Sequence, residues 1–133
     1  MSSDEAVKLV KSIPVSSLAS YAGAAALLMA SRFNPNAAKS VVAVASAAAM
    51  AFYSAEVHQS SPMRGHKHSA VVGAFVGVAF MAQAARVRTP PNVAMGLMGW
   101  GLAAVHGAEW KRLHDERVEQ VRAHLAAQRD KSA

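Results

Sequence analysis

Histidine is the residue type in this chain best suited to proton transfer near neutrality or to metal binding; it occurs six times, and there is no cysteine. His66 and His68 bracket Lys67, and His58 precedes them. A His-x-His pair can hold a metal ion on a strand, but no acid or thiolate follows here at a ligand spacing. The three are read as residues of a headgroup-level loop, and no metal site is expected. His106, Trp110 and His114 recur every four residues and share one helix face. His106 could ligate haem, or hydrogen-bond a quinone or a neighbouring helix. The tail charges begin beside Trp110, so an interfacial position is the reading taken. The sequence holds no Ser/His/Asp set, no HExxH, no P-loop and no carboxylate pair. Neither catalytic residues nor an enzymatic cofactor are expected.

The elements that would position these side chains are written in the charge pattern. Ser12–Ser31 (20 residues), Ser40–Ala55 (16), Ser69–Ala85 (17) and Thr89–Ala108 (20) contain no Asp, Glu, Lys or Arg. A bilayer-crossing helix needs about 20 mostly apolar residues. The expected fold is all-α: a polytopic membrane protein with four short transmembrane helices in two hairpins and an extended charged C-terminal helix. Residues 1–12 are read as an N-terminal interfacial helix opened by a Ser2/Glu5 capping box. Residues 13–108 are read as the transmembrane domain, and 109–133 as a charged amphipathic helix. Arg32–Asn36, His58–Gly65 and Arg86–Asn92 read as connections, with Asn92 capping the last helix. Asp4 and Glu5 argue against a transit peptide.

The net charge of +6 and pI near 10.2 would suggest nucleic acid for a soluble protein. Here the cations flank apolar stretches, where they meet lipid headgroups, and no nucleic-acid partner is expected. Lys67, Arg86, Arg88, Trp110, Lys111 and Arg112 are the candidate headgroup contacts, with an anionic phospholipid such as cardiolipin as the bound lipid. Eight basic residues near the tails and middle loop, against Arg32, Lys39, Arg86 and Arg88 on the other side, place the tails on the cytosolic, matrix or stromal face. Small residues at helical spacing supply packing faces: Ala43, Ala47, Ala51 and Ala55; Gly73 and Gly77; Gly99, Ala103 and Gly107. Ala22, Ala26 and Ala30 form a further ladder. Such faces let helix backbones approach where no hydrophobic effect drives association. Uncharged cores argue against ion pumping, which places an ionisable group at membrane depth.

The order of features resembles the transmembrane-protein-fourteen family, related to the plastid fatty-acid-export proteins. The resemblance rests on Tyr21-Ala22-Gly23-Ala24, Phe33-Asn34-Pro35, Phe52-Tyr53, Gly73, Gly77, Arg86, Pro90-Pro91 and Gly96-Leu97-Met98-Gly99, and covers Ser20–Gly107. The charged tail and the basic middle loop depart from the family pattern. The resemblance implies a mitochondrial or plastid envelope membrane and a role in passing fatty acids or porphyrin precursors. The residues themselves favour a structural accessory subunit of an organellar inner-membrane complex, mitochondrial in the first instance, such as a respiratory complex or ATP synthase. Its partners would be other membrane subunits and anionic lipids. A small carrier of a hydrophobic metabolite is the alternative.

Overall fold

The computed structural model describes residue 2, residues 3–32 and residues 36–133, and among these it contains five helices and no strand. They are α1 (Ser3–Ser12), α2 (Val15–Arg32), α3 (Ala37–Gln59), α4 (Pro62–Arg86) and α5 (Pro90–Ser132). The expected capping box opens α1: Ser2 Oγ accepts from the Glu5 amide at 3.3 Å, and Glu5 Oε2 accepts from the Ser2 amide at 2.8 Å. Pro14 follows the extended Ile13, and α2 leaves at 106° to α1. Val7, Leu9 and Val10 of α1 are exposed, which suits a helix lying along an interface.

The middle loop is shorter than expected. Of His58–Gly65, only Ser60 and Ser61 lie outside helices. Pro62 has no N–H to lose at the first helical position, so it starts α4 instead of prolonging a loop. Pro90 and Pro91 open α5 in the same way. Asn92 does not cap this helix. It sits in the first turn, and its side-chain amide donates to the Val87 carbonyl at 3.1 Å. The Phe33–Pro35 part of the first connection lies outside the described residues, and Asn36 caps α3 through the Lys39 amide at 3.2 Å.

The expectation of four transmembrane helices is corrected to two. Among the described residues, α3 and α4 are long and apolar enough to cross a bilayer; α1 and α2 pass only as one bent pair. Helix α2 is diluted by Ser16, Ser17 and Ser20, and the first half of α5 by prolines, Asn92, glycines, Trp100 and His106. Both pack beside the spans instead. Helices α2 to α5 run alternately up and down, so one end gathers the start of α2, the α3–α4 turn and the middle of α5. The other gathers the end of α2, the start of α3 and the α4–α5 connection. Ala24, Leu27, Ala47, Met50, Val76 and Leu102 form the buried core. The two alanines let the backbones approach, and the larger Leu27, Met50, Val76 and Leu102 fill the space between the helices with dispersion contacts.

Candidate functional site

The closest helix contact is between α4 and α5. A Cβ built at Gly73 would lie 2.8 Å from the Ala103 amide nitrogen and 2.9 Å from the Gly99 carbonyl oxygen. One at Gly99 would lie 2.7 Å from the Gly73 carbonyl oxygen and closer still to the Gly77 amide. Four of the small residues named from the sequence, Gly73, Gly77, Gly99 and Ala103, thus meet across one seam. Trp100 lies over Gly77 from α5. Gly107 faces open space. On α3, Ala43 and Ala47 are buried, whereas Ala51 and Ala55 are partly covered. On α2 the buried face is not the Ala22–Ala26–Ala30 ladder. It is Ser16, Ser17, Ser20, Gly23, Ala24 and Leu27, with Ala22 exposed.

These serines belong to a polar cluster that the sequence analysis missed. His106 of α5 is fully buried and His66 of α4 is 5% exposed. Their Nδ1 atoms are 2.8 Å apart, and His106 Nε2 is 2.7 Å from Ser20 Oγ of α2. An Nδ1–Nδ1 contact needs one ring to donate and the other to accept, so the two imidazoles must hold complementary tautomers. Ser17 Oγ, also buried, donates to the Ser54 carbonyl of α3 at 3.2 Å. The cluster therefore ties together all four helices of the bundle. His66 stands in α4 and not in a loop, and His106 makes the hydrogen bonds to neighbouring helices that were one of the roles open to it. A signal for both was present in their register: His66 precedes Ser69, Gly73 and Val76, and His106 follows Gly99 and Leu102, on the buried faces of their helices.

Ser20, His106 and His66 have the connectivity of a nucleophile, a base and an orienting group. Ser20 is only 2% exposed, and the two clefts described for this chain lie at the opposite end of the bundle. What this arrangement supplies is directional hydrogen bonding in a low-dielectric interior, where the partners fix one register of α2, α4 and α5.

A second polar group surrounds the α3–α4 turn. Glu56 has Arg64 Nε at 3.6 Å and His68 Nδ1 at 3.9 Å, the Tyr53 ring packs on His68 with centroids 4.7 Å apart, and Tyr21 Oη is 3.5 Å from His58 Nε2. Gly65 permits this turn: a Cβ there would lie 2.6 Å from the Val57 amide nitrogen. No group of three or more potential metal-ligating side chains occurs among the described residues.

The headgroup candidates separate into two kinds. Lys111 pairs with Asp115 at 3.7 Å, and Arg112 with Glu109 and Glu116 at 2.9 Å each. The Arg112 hydrogen bond is the main cause of a Glu109 carboxyl held below its usual range, and Glu109 in turn raises the Arg112 guanidinium. Trp110 stacks on His114 at 5.6 Å. Lys67, Arg86 and Arg88 have no acidic partner among the described residues. Arg86 lines a cleft beside α3, and Arg88 a shallower depression with Leu97.

Beyond Val118, α5 carries on alone. Residues 119–132 are exposed throughout and extend about 21 Å at 1.5 Å per residue. Val121 and Leu125 stand 52% exposed, on one face with the half-buried Val118. No family model, curated protein or solved structure matches this chain.

Proposed function

We infer that this protein is a membrane-anchored structural subunit of a larger assembly, with the bundle as anchor and the free end of α5 as docking element. The observation that carries this reading is the 43-residue α5. Its first half is packed on α4, while its last 14 helical residues hold Val121 and Leu125 on one face away from the rest of the chain. Helices owe most of their stability in proteins to the burial of an amphipathic face, and this face has no cover within the chain. The small-residue seams and the polar cluster suit a rigid anchor better than a moving one. An organellar inner membrane, mitochondrial first, with a respiratory complex or ATP synthase as the assembly, is the setting proposed. Truncation after Val118 tests the reading: the shortened chain should still insert but no longer co-purify with partner subunits. Full co-purification would remove the tail as the docking element.

One observation favours the second reading, a carrier for a hydrophobic metabolite such as a fatty acid or porphyrin precursor. It is the cleft beside Arg86, which has a volume of about 960 Å³ and is lined mainly by apolar side chains. A carrier would move a labelled ligand between vesicles as the isolated protein. A subunit would not.

A further inference from the structure

We propose that the cleft between α3 and α4 is a binding site for one anionic phospholipid, its phosphate held between Lys39 and Arg86 and one acyl chain lying in the cleft. The proposal rests on the reading of α3 and α4 as membrane spans. Near the Ser60–Ser61 turn these helices approach closely at Gly65 and Val57, and at their other ends a cleft lined by both opens. The opening becomes a cleft of about 960 Å³, at the upper end of the roughly 300–1,000 Å³ usual for small-molecule sites. Its walls include Val42 and Ala43 of α3, Phe75, Ala79 and Phe80 of α4, and Met95 of α5.

The cleft has a polar end and an apolar depth. Lys39 stands in the first turn of α3 and Arg86 at the last residue of α4, so both are at the ends of the two candidate spans, where headgroups lie. From Arg86 down to Phe75 is about 16 Å along the helix, about half of a ~30 Å hydrocarbon core. A site one leaflet deep, charged at the surface and apolar below, has the polarity profile of a lipid in that leaflet.

Charge selects the kind of lipid. This end of the bundle carries Arg32, Lys39, Arg86 and Arg88, and no acidic residue occurs between Glu5 and Glu56 or between Glu56 and Glu109. Both rim cations are exposed, and neither has an acidic partner among the described residues. A phosphate can accept from the Arg86 fork and the Lys39 ammonium together. The exposed Val42 and Phe75 on its walls leave the cleft open to the bilayer, so a second acyl chain can remain among its neighbours.

Native mass spectrometry of the full chain in mild detergent tests this, with dioleoyl phosphatidylglycerol and dioleoyl phosphatidylcholine added in competition. Two surface cations predict a preference of roughly 30-fold for a single phosphatidylglycerol. Lys39→Gln with Arg86→Gln should bring that preference to within about threefold, and Val42→Trp, which fills the cleft, should lower retention of both lipids. Arg88→Gln, on the other depression, should change neither. Equal retention of the two lipids by the wild type, or an unchanged preference in the double variant, overturns the proposal. So does displacement of the phospholipid by equimolar oleate. Loss of lipid preference in a chain that still migrates with partner subunits would refute this site alone. A selective site in a chain without partners would refute the subunit reading alone.

Discussion

Replacing Gly99 with alanine should wedge α4 and α5 apart, and the same change two residues later should not. The methyl group at Gly99 would meet the Gly73 carbonyl oxygen at 2.7 Å and the Gly77 backbone, whereas ordinary contact begins at 3.4 Å. These are backbone atoms and cannot rotate away, so the helices must separate locally by roughly 0.7 Å or more, losing a quarter to a half of each dispersion contact along the seam. Overpacking of this kind costs about 1–3 kcal/mol. Gly101 meets nothing within 4 Å. There alanine brings only its better helix propensity, about 0.8–1 kcal/mol, and Gly99→Ala gains the same term before the wedge acts. The difference between the two variants is therefore about 1–3 kcal/mol, roughly 3–15 °C in Tm for a chain of this size. Thermal unfolding in mild detergent, followed by tryptophan fluorescence, reads it, since Trp100 lies over Gly77 in this seam. If Gly99→Ala melts at or above Gly101→Ala, the two helices do not pack as described.

Three further outcomes follow from the polar groups. Ser20→Ala and His106→Leu each leave a buried partner unsatisfied and should cost about 1–3 and 2–5 kcal/mol. Their double-mutant cycle should show coupling above about 0.5 kcal/mol; additive losses would separate the two residues. Ser20 should resist a fluorophosphonate probe in the native protein, since it is sealed in the bundle, and stoichiometric labelling would identify an accessible nucleophile. The Glu109 carboxyl should titrate below 4.5 by carbon NMR and return toward 4.5 in Arg112→Gln. Because its pKa is depressed on folding, the Glu109–Arg112 pair supports the tail helix above about pH 4.5 and loses that support as pH falls through the lower folded value. Equal midpoints in the two proteins would contradict the pairing.

Much of the helical frame was legible because it rests on local chemistry. The capping box at Ser2 and Glu5 and the break at Pro14 need no tertiary information, whereas α5 starts at Pro90, inside the stretch that reads as a connection up to Asn92. Lys39 and Arg86 mark helix ends for the same reason. The α3–α4 loop was misread because Pro62 looks like a loop residue until it is placed at a helix start. The number of spans was overestimated because absence of charge is a weaker condition than apolarity. Serines in α2, and glycine, Trp100 and His106 in α5, leave those segments uncharged yet too polar. The serine–histidine cluster was hidden for a related reason. Polar side chains at intervals of three or four look like breaks in an apolar face until partners on other helices satisfy them. Ser20, His66 and His106 come from three helices, and no spacing in the sequence states that they meet. The cleft was equally out of reach, since Lys39 and Arg86 are 47 positions apart.

The central claim is that the bundle anchors a subunit whose tail docks to a partner. Native-gel migration after mild detergent extraction, with mass spectrometry of the band, tests it most directly. Migration with a large complex in fixed stoichiometry, lost when the chain ends at Val118, is the expected result. Migration of the full chain as a monomer or small homo-oligomer would contradict it.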